Sequence, residues 1–322
     1  MLDLSPRPLR LLCASALSFF CLASTTLSAG PAEFGTAELE RAISDRGLNP
    51  RSLRIKTEVA VDPPESFHIV PNLITGGDLR GVMYGLLEAA DQIRTTGRLR
   101  KASGAPALSM RGVRMVLKDL DADSLRSREF WPQLFQRLAR NRFNRFNLVV
   151  PRLPDDSDTL RFISQTAADY GVDFALGLWG DADWQPGPDL QAALAKLLSA
   201  CPSIRSVQVR MQTEAAMYAV QALHEAGRRL TLEAAADASE VSTAAAAAGV
   251  PMRVSAAYPD GKRPDTRLPF YWEVDPQSAR DPKAVVAALV ATGATGFEID
   301  LPAAGADSVM PWGRLGYDPA AK

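Results

Sequence analysis

The sequence predicts an α/β protein, a (β/α)8 TIM-like barrel preceded by a small α/β accessory domain. Three observations carry the prediction. Between residues 107 and 303, eight short β-branched or apolar runs alternate with amphipathic or alanine-rich stretches of helical period. Glycine or asparagine recurs just before those runs, where helix C-caps feed a sheet. Ahead of the alternation, residues 33–100 carry a strand and helix pattern of their own.

At the N-terminus, "RPLRLLCASALSFFCLASTTLSAGPA" places basic residues first, then an apolar stretch of about fifteen residues, then small residues. That is the order of a secretory signal, with cleavage expected after Ala29 or Ala32. The apolar run is short for a membrane span. Residues 1–32 are therefore expected to be removed, leaving an exported protein, periplasmic or extracellular, without stable membrane insertion. Phe20 before Cys21 argues against lipid attachment at that cysteine. With Cys13 and Cys21 in the signal, only Cys201 remains, so no intramolecular disulfide is expected.

The accessory region begins with "TAELERAISDRG", of helical period and ending at a glycine. In "RSLRIKTEVAV", Leu53, Ile55, Thr57 and Val59 alternate, which predicts a half-exposed strand. "ESFHIVP" reads as a second strand and "NLITGG" as a third strand or a turn. In "GGDLRGVMYGLLEAADQIR" the residues Leu79, Val82, Met83, Leu86, Leu87 and Ala90 share one helical face. Asp78 suits the N-cap, and Gly81 and Gly85 would let the helix approach a sheet closely.

The barrel strands are read at "GVRMVL", "RFNLVVP", "VDFALGLWG", "SVQVRMQ", "RLTLEAAA", "MRVSAAY", "PFYWEVD" and "GFEIDLP". Helices are read between most of them. "PDGKRPDTRL" joins the sixth strand to the seventh without a helix, no helix is predicted after the eighth, and residues 304–322 read as a C-terminal tail.

Composition excludes several functions. The net charge of −1 supplies no basic surface for nucleic acid. The two histidines, His68 and His224, stand near neither Cys201 nor any metal-ligand spacing, and dinucleotide and P-loop fingerprints are missing. No metal or cofactor is expected, which leaves carboxylate chemistry or none.

Barrel enzymes place chemistry at C-terminal strand ends. The carboxylates there are Glu214 after strand four, Asp237 after strand five, Glu273 on strand seven, and Glu298 and Asp300 on strand eight. Trp179 and Asp181 follow strand three, Tyr258 ends strand six, and Trp272 or Tyr271 beside Glu273 could stack on a sugar or fill the core. Arg114 lies on strand one, with Lys118 and Asp119 after it. Arg114, Arg210 and Arg253 alternate with apolar residues, which suits an inward arginine clamping a uronate or an internal salt bridge equally. Glu214 reads equally as a first-turn acid complementing a helix N-terminus.

Several motifs carry a family resemblance. "ITGGDLRGVMYGLLEAADQI", a Pro-containing linker and "MRGVRMVL" together resemble glycoside hydrolases of family 20 (hexosaminidases) and family 67 (α-glucuronidases). In those families an "I-x-G-x-d-x-x-G-x-x-Y-G" helix closes the accessory domain and an Arg-Gly strand opens the barrel. "LARNRFNRFNLVV" is similar to their "K-x-N" entry into strand two, and "WGRLGYDP" resembles the "F-G-R-L-a-w-D-P" segment of α-glucuronidases. The resemblance spans residues 35–319 and implies a carbohydrate substrate or ligand, with the C-terminal helical domain of relatives shortened away.

Family 20's adjacent Asp-Glu pair is replaced by "VRMQTEAA", where Gln212 and Glu214 stand apart, so hexosaminidase action is disfavoured. What remains implied is an inverting, α-glucuronidase-type hydrolase with Glu214 as acid and Glu273 as base. Such a mechanism needs its carboxyl groups about 6.5–9.5 Å apart. Arg114, Lys118, Trp179, Asp181, Asp237, Tyr258, Trp272, Glu298 and Asp300 would then bind substrate. The alternative is a catalytically inactive or truncated barrel that binds saccharide.

Overall fold

The structure, a computed structural model, describes residues 30–49, 55–118, 120, 125, 127–154, 156–180, 185–259, 263–277, 281–302 and 306–320. The chain opens with α1 (Pro31–Asp45), β1 (Lys56–Val59), β2 (Phe67–Val70), β3 (Leu73–Gly76), α2 (Leu79–Thr96) and β4 (Ala102–Gly104). The four strands form a mixed sheet in the order β1-β3-β2-β4. Phe34, Leu39 and Ile43 of α1 and Val82, Met83 and Leu86 of α2 form one core with Phe67, Ile69 and Ile74 of the sheet. "NLITGG" is thus a strand, and the described part of the first strand is exposed throughout rather than on one face.

Local chemistry explains the entry to α2. The Asp78 carboxylate accepts from the Gly81 amide at 2.6 Å, satisfying an otherwise orphaned helix donor. A Cβ on Gly81 would stand 2.2 Å from the Ser66 carbonyl oxygen. One on Gly85 would stand 2.5 Å from Ile74 Cγ2, so both glycines are required by contact with the sheet.

The barrel then follows in strict order. Its elements are β5 (Met110–Val116), α3 (Phe130–Arg140), β6 (Arg145–Val150), α4 (Asp158–Asp169), β7 (Asp173–Trp179), α5 (Pro188–Ala200) and β8 (Ile204–Arg210). After these come α6 (Thr213–Glu225), β9 (Thr231–Ala235), α7 (Ser239–Ala247), β10 (Met252–Tyr258), β11 (Phe270–Val274), α8 (Pro282–Ala291), β12 (Gly296–Asp300) and α9 (Met310–Tyr317). The eight parallel strands β5 to β12 close on themselves, β12 pairing with β5 from Gly296↔Met110 to Asp300↔Arg114.

Helix α9 corrects the sequence reading, which placed no helix after the eighth strand. Pro311 and two glycines disguise it. Proline is tolerated in a first turn, where its missing N–H costs nothing. A Cβ on Gly313 would lie 2.2 Å from the Asn141 carbonyl oxygen, so that glycine records tight packing, not a break. Trp312 of α9 is buried against Phe297, and the helix completes the outer layer between α8 and α3.

The accessory elements are fastened to the barrel through two buried glutamates. Glu65 accepts from Arg80 at 2.6 Å, from Arg111 of β5, and from Asn144 Nδ2 at 2.7 Å, while its backbone oxygen accepts from the Tyr317 hydroxyl at 2.8 Å. Glu38 of α1 takes Arg94 of α2 and Arg140 of α3 at 2.7–2.9 Å.

Replacing Gly81 with alanine should lower stability by about 1–3 kcal/mol through overpacking against a carbonyl oxygen. A lower urea midpoint with an unchanged m-value would show it.

Candidate functional site

Period-two alternation sends every second strand residue into the barrel lumen. In most barrels those positions are bulky and aliphatic. Here many of them are charged or polar, and these pair across the lumen. The deep layer centres on Arg145 of β6, whose guanidinium binds both Glu298 of β12 and Glu233 of β9. The Tyr271 hydroxyl donates to Glu233 at 3.0 Å, and Arg253 Nη1 lies 3.6 Å from the other Glu233 oxygen.

Gln208 of β8, fully buried, forms the middle layer. Its Oε1 accepts from Asn147 Nδ2 at 2.8 Å and Trp179 Nε1 at 2.9 Å. Its Nε2 donates to the Tyr271 oxygen at 2.7 Å and to Glu298 at 3.4 Å.

Arg114 and Arg210 hold the upper layer. Arg114 grips Asp300 in bidentate fashion, Nε to Oδ1 at 2.6 Å and Nη2 to Oδ2 at 3.0 Å. Its Nη1 reaches Glu273 at 2.8 Å and Glu298 at 3.4 Å. Arg210 Nη2 binds the other oxygen of Glu273. Both guanidiniums lie 4.5 Å from the centre of the Trp179 ring, an attractive arrangement against its π surface.

These groups balance in charge. Among the described residues, Arg114, Arg145, Arg210 and Arg253 meet Glu233, Glu273, Glu298 and Asp300 inside the barrel. Burial alone would raise the Glu273 carboxyl, but the Arg114 and Arg210 guanidiniums outweigh it and hold the group below the usual carboxylate range. Burial, reinforced by Glu233, pushes the Tyr271 phenol up, so it serves as a neutral donor.

Above this array a cavity of about 850 Å³ opens over the ends of β8, β9 and β10. Arg210, Thr213, Asp237, Ser255 and Ala257 contribute to its wall. Among the described residues, Arg210 is its only cation and Asp237 its only acid.

The predicted site residues divide accordingly. Arg114, Glu273, Glu298 and Asp300 come together in one network, joined by Trp179, and Asp237 faces the cavity beside Arg210. Glu214 is exposed in the first turn of α6, and neither it nor Glu273 is among the residues that line the cavity. Lys118 is exposed beyond the end of β5. Trp272 and Tyr258 point out of the lumen, where their rings meet edge to face at 5.8 Å and Trp272 donates to Thr292 Oγ1. They offer no ring to the mouth, because adjacent strand residues face opposite ways and Glu273 takes the inward position. The Trp179 ring is engaged by protein cations. Asp181 and Asp119 lie outside the described residues.

Sequence reasoning missed Arg145, Asn147, Gln208 and Glu233. Signal was available for three of them: Asn147, Gln208 and Glu233 are each flanked by apolar residues inside a strand run, whereas Arg145 follows Asn144 at the head of its strand.

No protein-family model matches this sequence, and no curated protein does. Solved structures do resemble it. A family GH138 enzyme targeting the pectin rhamnogalacturonan II superposes with a TM-score of 0.72 at 14% identity, covering 92% of this chain and 50% of that one. A family GH115 4-O-methyl-α-glucuronidase with specificity for decorated arabinogalactans gives 0.60 at 11% identity, over 91% of this chain and 55% of that one. CpGH84B gives 0.59 at 12%, over 91% and 68%. The chain spans about half the length of the first two. These proteins share the barrel fold that the sequence resemblance implied, and they belong to glycoside hydrolase families other than the two it named.

Replacing Glu298 with leucine leaves Arg145 and Arg114 short of a buried partner and should cost about 3–5 kcal/mol, measurable by denaturant unfolding. Glu273, Glu65 and Glu38 are all lowered in the folded state, so the native protein binds fewer protons than the unfolded chain as acid is added. Their stabilisation is complete above the unfolded carboxyl pKa of about 4.3 and falls away as pH drops through the folded values. Melting temperature should therefore decline below about pH 4.5, and Glu65→Gln should flatten that decline.

Proposed function

We propose that this chain is an exported, glycoside-hydrolase-like barrel that binds an acidic saccharide at its C-terminal mouth. One observation carries the reading. Among the described residues, the cavity wall presents a single arginine, Arg210, tied by one nitrogen to Glu273, with Asp237 on the same wall to accept from sugar hydroxyls. A guanidinium with free donors matches a sugar carboxylate in charge and shape. That one structural neighbour is a 4-O-methyl-α-glucuronidase supports a uronate as the ligand. The N-terminal stretch at 1–32 supports export, and a mature protein recovered outside the cytoplasm should begin after Ala29 or Ala32.

Binding is favoured over cleavage by the state of the carboxylates. An inverting glycosidase needs one carboxyl kept protonated as acid and another free to activate water. Glu273 is a carboxylate engaged by two guanidiniums, and Glu214 stands exposed in the first turn of α6.

The mature chain should bind D-glucuronate more tightly than D-glucose. Arg210→Met should weaken glucuronate binding by roughly ten- to a hundredfold, the worth of a hydrogen bond to a charged group, and leave glucose unaffected. A panel of aryl glycosides, including glucuronides and N-acetylhexosaminides, should show no turnover. Turnover of one class, lost in Glu273→Gln, would instead establish the Glu273-dependent hydrolase.

A further inference from the structure

We infer that an acidic saccharide takes Arg210 from Glu273 as it binds, and that Glu273 picks up a proton from solvent in the same step. The inference rests on the acidic-saccharide reading and adds a coupling between ligand charge and protonation inside the barrel.

The first argument is charge balance. Among the described residues, the lumen holds four arginines against four carboxylates, all within one connected set. A ligand carboxylate on Arg210 takes positive charge away from Glu273, which is 8% exposed, and that is costly unless a proton or cation enters with it.

The second argument is which contact gives way. Arg210 is about a third exposed, at 34%, lines the cavity and binds Glu273 through one nitrogen. Arg114 is 9% exposed and already shared among Asp300, Glu273 and Glu298, so it is less accessible to a ligand than Arg210. The ligand therefore competes for Arg210.

The third argument is where the proton goes. Once Arg210 turns outward, the one guanidinium left on Glu273 is a share of Arg114 from β5. Around it stand Glu298 and Asp300 from β12 and Glu233 from β9, the last paired with Arg145 of β6 and Arg253 of β10. Tyr271 of β11, Trp179 of β7 and Ser255 of β10 are uncharged. Asp300 is half-exposed, at 49%, so water helps to stabilise its charge, whereas Glu273 is 8% exposed and lacks that help. Protonation of Glu273 restores neutrality, and its new O–H can donate to the ligand carboxylate. In the free protein, two guanidiniums outweigh the burial that would raise this carboxyl, and removing one shifts the balance upward.

The sign follows. If the bound state holds more protons than the free state, affinity rises as pH falls, by at most about tenfold per pH unit for one proton. The sugar carboxylate itself stays ionised above about pH 5.

The test is calorimetric titration of the intact mature chain with D-glucuronate at pH 6, in buffers of different ionisation enthalpy. D-glucose serves as the uncharged control. The expected result is uptake of a substantial fraction of one proton per glucuronate bound, tighter binding at pH 5.5 than at 7.5, and no uptake in Glu273→Gln. Glucuronate binding by the wild type without proton uptake overturns the coupling and leaves the saccharide reading intact. So does uptake that persists undiminished in folded Glu273→Gln. No binding of glucuronate overturns the saccharide reading and the coupling with it. If Glu273→Gln does not fold, the wild-type buffer series still overturns the coupling when it shows no uptake, and Glu273→Ala takes the variant's place in assigning the proton.

Discussion

Arg114 is the group on which the rest of the barrel interior depends. One guanidinium on β5 reaches three carboxylates on β11 and β12, and through Glu273 it meets a second guanidinium from β8. A charge on one strand is thereby neutralised by residues from across the sheet. The energetics of such a set are conditional. Each ion loses hydration on burial, and only complete pairing with good geometry recovers the loss. Gln208 contributes what charge cannot, using both ends of its amide to fix Asn147, Trp179, Tyr271 and Glu298 in one arrangement. The result is a lumen that specifies orientation more sharply than an aliphatic filling would.

The same logic recurs at the base of the barrel. Glu65 is buried in a left-handed backbone conformation, with φ of 63°, that a non-glycine residue rarely adopts. Arg80, Arg111 and Asn144 hold its side chain and Tyr317 holds its carbonyl, so the contacts from α2, β5 and α9 over-determine the position. Burial would raise the Glu65 carboxyl, and the Arg111 and Arg80 guanidiniums hold it low instead. The accessory sheet is therefore tied to the barrel by ionic contacts at its edge as well as by apolar packing. Arg111 and Arg114 lie on one strand at opposite parity. The first faces the accessory domain and the second faces the lumen, so β5 serves both networks.

For ligand recognition, the charge-balanced interior has a chemical consequence. In the saccharide-binding reading we propose, a neutral sugar would enter the mouth without disturbing it, whereas an anion would have to be compensated. Shape would set the size of the ligand, and the ion pairs beneath would set which charge it carries. That division separates this barrel from one whose acid and base stand free at the strand ends. Its likeness to several glycoside hydrolase folds at 11–14% identity leaves room for it.

Much of the fold was legible in the chain. Strict alternation of strand and helix runs determined a closed parallel barrel, and the Asp78 cap with Gly81 and Gly85 determined how α2 meets its sheet, because these depend on neighbours in sequence. Helix α9 was hidden because Pro311, Gly313 and Gly316 oppose a helix locally, and only contacts with Asn141 and Phe297 explain them. In the site, the sequence reading puts Glu298 and Asp300 on one side of strand eight and allows Arg114 to point inward. Parity could also have excluded Trp272 from the side that Glu273 occupies, yet that reading counts Trp272 among the substrate-binding residues. What only tertiary structure decided was partnership: that Arg210 and Arg114 converge on Glu273, while Glu214, one turn beyond the strand, joins neither. Parity is a property of the backbone and can be read residue by residue. Pairing across a barrel depends on register and closure among eight strands, and no local stretch of sequence contains it.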